Sequence, residues 1–182
     1  MRAIFLGLSL VVLAATALVG CSVHSLEGVA SNKDVTINLK LVESWRLAPD
    51  VAGLAVCLNS NCTIFITEDS YPLCLVHEVG HATHGAWHPH SVPTDCFYNK
   101  LPLKYSFIKH PLEAPAKRNE VKIRFKLHGS SPTAGLFGES VCRDGECNTW
   151  ILENHYPNCV VELFGHATHG DWAVEPKREC FK

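Results

Sequence analysis

Apolar and polar residues alternate at Val35, Ile37, Leu39 and Leu41, and again at Val121, Ile123, Phe125 and Leu127. A period of two marks a strand with one buried face, so each stretch predicts a half-buried strand. Leu54-Ala55-Val56 and Thr63-Ile64-Phe65-Ile66 flank the turn formers Asn59-Ser60-Asn61, which predicts a hairpin. Asp144-Gly145 lies at the corresponding turn further along and suits a tight hairpin loop. After Tyr71-Pro72 the pattern changes. Residues 74–84 contain no proline, and Leu75, Val76, Val79 and Ala82 can form an apolar face, so a helix is predicted there. Gly85 and Gly170 stand where a helix end favours a left-handed residue.

These elements come twice. Segments 57–87 and 142–172 align without a gap and share 15 identities in 31 positions, which excludes chance. Cys57 and Cys62 match Cys142 and Cys147, Cys74 matches Cys159, and Tyr71-Pro72 matches Tyr156-Pro157. Both copies carry Gly-His-Ala-Thr-His-Gly, at 80–85 and 165–170, followed by Trp87 and Trp172, which read as core residues. Cys96 matches Cys180 with one residue of slippage. The expected organisation is a first unit over 31–96, a proline-bearing linker over 97–117 and a second unit over 118–182. The fold class expected is α+β, each unit a few antiparallel strands followed by one motif-bearing helix.

The N-terminus changes the compartment. Arg2 precedes an uncharged apolar run from Ala3 to Val19, the layout of a signal peptide over 1–20. The run ends in Leu18-Val19-Gly20-Cys21, which resembles a bacterial lipobox. That resemblance implies cleavage before Cys21, lipidation of its sulfur and a membrane anchor, with 21–30 as a tether. Ser22 after the lipid-bearing cysteine goes with the outer membrane in that family, facing the periplasm. Of nine cysteines, eight then remain in an oxidising compartment, so disulfides are the default. Four per unit allow three pairings, and spacing does not choose among them. The preferred set is Cys57–Cys62, Cys74–Cys96, Cys142–Cys147 and Cys159–Cys180. A formal net charge of −2 without a basic patch argues against nucleic acid as a partner.

The first copy alone holds His77-Glu78-Val79-Gly80-His81. Two histidines four apart share one helix face and can reach one Zn²⁺. This segment resembles the His-Glu-x-x-His motif of the zincin superfamily of zinc metallopeptidases, over about a dozen residues. The resemblance implies that His77 and His81 bind zinc and that Glu78 is the general base acting on a water that zinc activates. Catalytic zinc takes three protein ligands. His88 is the first choice for the third and His84 the second, with Asp95 and Glu113 weaker. Metzincins place their third histidine with one residue fewer than the spacing from His81 to His88, so strict membership of that group does not follow.

The second copy works as an internal control. Glu162 stands for His77, Leu163 for Glu78 and Ala173 for His88. Base and ligands are lost together, whereas His84 and His169 persist, which suggests a structural task such as capping the helix end. The leading expectation is a zinc-dependent hydrolase, a peptidase acting on peptide or protein substrates from a lipid anchor. One alternative is a non-catalytic metal-binding lipoprotein that retains Glu162, His166 and His169 as a second site. The other is a disulfide-stapled interaction module without metal.

Overall fold

The computed structural model describes residues 29–48, 51–72, 74–85 and 115–170. In the first unit the alternating stretch forms β1 (Asp34–Val42), the hairpin forms β2 (Gly53–Leu58) and β3 (Asn61–Thr67), and α1 spans Leu75–His84. The second unit repeats this order as β4 (Glu120–His128), β5 (Gly138–Arg143), β6 (Glu146–Leu152) and α2 (Val160–His169). Val35, Ile37, Leu39 and Leu41 are buried while the residues between them are half-buried, as a period of two requires. The helices stop at Gly85 (φ 76°) and Gly170 (φ 82°), residues that take a positive φ without a Cβ clash.

Each hairpin closes on a two-residue loop. Asn61, which sequence places in the turn, instead pairs with Leu58. Asp144 and Gly145 both have positive φ, as a type I′ loop demands. Cys57 lies directly opposite Cys62, and Cys142 opposite Cys147, and both pairs form disulfides with Cα atoms 4.0 Å apart. Cys74 and Cys159 are also disulfide-bonded. Cys96 and Cys180, the partners that sequence assigns to them, lie outside the described residues, as do Cys21, Trp87 and Trp172.

The strands form one sheet in the order β2-β3-β1-β4-β6-β5. The α+β class and the antiparallel hairpins are as expected, whereas the first strand of each unit, expected to be antiparallel with the others, pairs parallel within its unit. With β2 on the outside, β3 returns between β2 and β1 and runs parallel to β1; β6 does the same beside β4. The units also share their sheet, because β1 pairs antiparallel with β4. Ile37 faces Ile123, Val35 faces Phe125 and Leu39 faces Val121. Ile37 and Ile123 are equivalent positions of the repeat, so a pseudo-two-fold axis passes through that pair. Pairing β1 with its own copy removes an open strand edge from each unit.

Both helices cover one face of this sheet. Their apolar residues join the inward residues of the strands in a single core, with Ile37, Ile64, Ile123, Phe125, Leu163 and Phe164 fully buried. Each such side chain contributes on the order of 1.5–3 kcal/mol. The opposite face carries cross-strand ion pairs, among them Lys40–Glu120 and Lys126–Asp34, each at 2.8 Å. Among the described residues no helix is long and apolar enough to cross a membrane.

A reciprocal clasp ties the helix ends together across the axis. Tyr71 Oη lies 2.8 Å from Thr168 Oγ1, and Tyr156 Oη lies 2.8 Å from Thr83 Oγ1. The Tyr71 ring stacks on His169 and the Tyr156 ring on His84. Each threonine hydroxyl donates to a carbonyl of its own helix, Val79 O for Thr83 and Gly165 O for Thr168. Its oxygen then accepts from the tyrosine of the other unit. Burial holds both phenols above the usual tyrosine range, so they remain protonated donors.

Candidate metal centre

The candidate ligands sit on the one stretch of α1 that the core leaves partly open. Leu75, Val79 and Ala82 face the sheet, whereas His77 and His81 are only half-buried. Residues four apart on a helix stack one above the other, and the two imidazoles meet. Their Nε2 atoms are 3.3 Å apart, with the ring planes at 81°. Two nitrogens held about 2.0–2.1 Å from a tetrahedral ion stand about 3.3–3.4 Å from each other, so the pair matches the bite of one zinc ion. His81 Nδ1 is 3.0 Å from Gly85 O. Donation of Nδ1–H to that carbonyl leaves the Nε2 lone pair for a metal, the usual outer support of a ligating histidine.

Glu78 lies about 100° further round the helix and points inward. It is only 4 % exposed. Desolvation pushes its carboxyl up to about 7, because the charged form loses its water. The neighbouring β2 residue is Gly53, where a Cβ would stand 2.6 Å from Glu78 Oε1. Gly53 therefore admits the carboxylate, a role that sequence reasoning missed. The available signal was the repeat itself, since Gly138 occupies the same position and a Cβ there would meet Leu163 Cδ1 at 2.6 Å.

His84, the second choice for a third ligand, does not join His77 and His81. It is buried in the clasp, with Nδ1 2.8 Å from Thr83 Oγ1 and its ring on Tyr156. His169 has the same place in the second unit, on Thr168 and the Tyr71 ring. Helix-end capping is performed by other groups: Ser31 Oγ and Asn32 N donate to Thr83 O, and Lys117 N and Arg118 N donate to Thr168 O. Among the described residues no three His, Cys, Asp or Glu side chains gather as a metal site. His88, Asp95 and Glu113 lie outside the described residues. The described part of the centre is thus a two-nitrogen clip beside a buried carboxyl.

Two shallow grooves of about 600 and 660 Å³ flank residues 44–48, the first lined by Leu47, Leu54 and Phe65, the second by Trp45, Val51 and Asp69. Neither includes a histidine of α1. In comparisons with known proteins, no family model, no curated protein and no solved structure matches this chain.

Proposed function

We propose that this protein is a zinc-dependent hydrolase, a peptidase held at the bacterial outer membrane by a lipid on Cys21. The observation that carries the reading is the 3.3 Å between the Nε2 atoms of His77 and His81. His88 completes the ligand set in this reading. Zinc bound there would polarise a substrate carbonyl and acidify a water. Glu78 would serve as the proton carrier, as general base toward the attacking water and then as donor to the leaving amine. His81 keeps its ligand tautomer through Gly85 O.

The test is Glu78→Gln in the chain that begins after the signal peptide, assayed on a mixed peptide library. Turnover should fall by about 10²–10⁴-fold while zinc stays near one per chain. Unchanged turnover, or purified protein without zinc, overturns the assignment.

A second reading, a metal-binding lipoprotein without turnover, draws support from the burial of Glu78 beneath β2 at Gly53. It expects two metals per chain, one lost with His77→Ala and the other with His166→Ala. Metal stoichiometry of the two variants separates the readings.

A further inference from the structure

The second unit lacks the base and the first helix ligand, yet it retains Tyr156, which grips the helix that carries them. We infer that Tyr156 is a positioning residue for the metal centre: it holds the last turn of α1 so that His81 presents Nε2 toward His77. The inference rests on the reading of His77 and His81 as zinc ligands.

The contacts run in an unbroken line. Tyr156 Oη donates to Thr83 Oγ1 at 2.8 Å, and its ring stacks on His84 with centroids 5.8 Å apart. Thr83 and His84 lead directly into Gly85, whose amide donates to His81 O and whose carbonyl accepts from His81 Nδ1 at 3.0 Å. Gly85 is exposed, and among the described residues nothing lies within 4 Å of where its Cβ would be. What the described residues contribute to the position of that carbonyl comes through the turn before it. That turn is fixed from the first unit by Ser31 and Asn32 on Thr83 O, and from the second unit by Tyr156. A ligating imidazole whose outer hydrogen bond drifts loses both its orientation and its tautomer.

The pseudo-symmetry supplies the control. Tyr71 makes the same bond to Thr168 and the same stack on His169, but it grips α2. A merely structural role makes Tyr156→Phe and Tyr71→Phe equivalent. A positioning role makes them differ at His81 alone.

The experiment uses the full chain after the signal peptide. Zinc affinity is measured by competition with a chromophoric chelator, and the His81 tautomer by ¹⁵N NMR of the metal-free protein. Tyr156→Phe should weaken zinc binding about tenfold and deplete the Nδ1–H tautomer of His81. Tyr71→Phe should change affinity by less than about twofold, although both variants lower Tm by a similar amount. Equal losses of affinity in the two variants, or an unchanged His81 tautomer in Tyr156→Phe, overturn the inference. A wild-type chain that binds no zinc overturns the hydrolase reading and with it the metal-centre role of Tyr156, whereas a zinc-binding chain with an unchanged His81 tautomer overturns the positioning role alone. If Tyr156→Phe does not fold, Thr83→Val with rescue by Thr83→Ser tests the same contact. Weak zinc binding in the first and near wild-type binding in the second support positioning, whereas equal binding in both overturns it.

Discussion

The two units share a backbone and differ where the chemistry would be. In α1 the inward position on the sheet holds Glu78, against Gly53 of β2. In α2 the same position holds Leu163, against Gly138 of β5. Leucine there completes the core, and glutamate costs stability because its charged form is desolvated. Their sheet edges differ as well. The outward residues of β2 are Leu54, Val56 and Leu58, all exposed, whereas β5 presents Glu139, Val141 and Arg143 at the matching positions. Charges on an edge strand discourage pairing with other chains, and β2 lacks them. The second unit thus resembles a solved packing problem. The first accepts a buried acid and an apolar edge, departures from local rules that concentrate at functional sites.

The largest expected difference is in activity. On the hydrolase reading, Glu78→Gln should cost about 10²–10⁴-fold in turnover, while Glu162→Gln, at the position that matches His77, should leave turnover within about twofold; hydrolysis assays of the two variants side by side check this. Next comes stability against pH. The Glu78 carboxyl, near 7 when folded and near 4.5 when unfolded, binds its proton more tightly in the folded state. Its unfavourable contribution is absent below about pH 4.5, grows as pH rises to 7, and is complete above that. Glu78→Leu, the residue of the second unit, should therefore stabilise the chelator-treated protein by up to about 3 kcal/mol at pH 8. Urea titrations should show the gap between variant and wild type shrinking toward pH 4, and a gap independent of pH would refute the account.

Smaller effects separate the two glycines. Gly138→Ala drives a Cβ toward both Leu163 Cδ1 and Trp150 O, and the backbone oxygen is not free to move aside. A loss of about 1–3 kcal/mol is expected from such overpacking. The three atoms nearest a Cβ on Gly53 all belong to the Glu78 side chain rather than to backbone, so Gly53→Ala should cost less, and thermal melts of the two variants give the order. Smallest is the clasp. Tyr71→Phe and Tyr156→Phe each remove one buried hydrogen bond and should each cost about 1 kcal/mol. Unequal costs in denaturant titration would break the symmetry argued for the two halves.

Much of each unit was legible in sequence. The alternation over 35–41 reports which side of β1 is buried, the matched Cys-x₄-Cys spacing brackets a hairpin, and Gly85 ends a helix by its own conformational preference. The neighbours of β1 were not legible, because periodicity reports the buried face of a strand and is silent about its edges. The parallel β1–β3 pair and the β1–β4 seam depend on hydrogen bonds between segments far apart in the chain. What was legible of the candidate site is that His77 and His81 meet on one face of α1, because their spacing is a property of one helix. His84, the second choice for a third ligand, has its ring on Tyr156, a residue of the other unit that the pattern within one unit does not report.

Local pattern therefore determined the individual strands, hairpins and helices of each unit and the four-residue spacing that stacks His77 on His81, since each arises from residues close together in the chain; it made Cys57–Cys62 and Cys142–Cys147 a preference, which the structure decided. Tertiary structure decided that the units share one sheet about the Ile37–Ile123 pair and that the Ala-Thr-His-Gly ends clasp each other. It also decided that Glu78 is buried against Gly53. Those outcomes depend on which surfaces exclude water together, and that is settled only when distant segments pack.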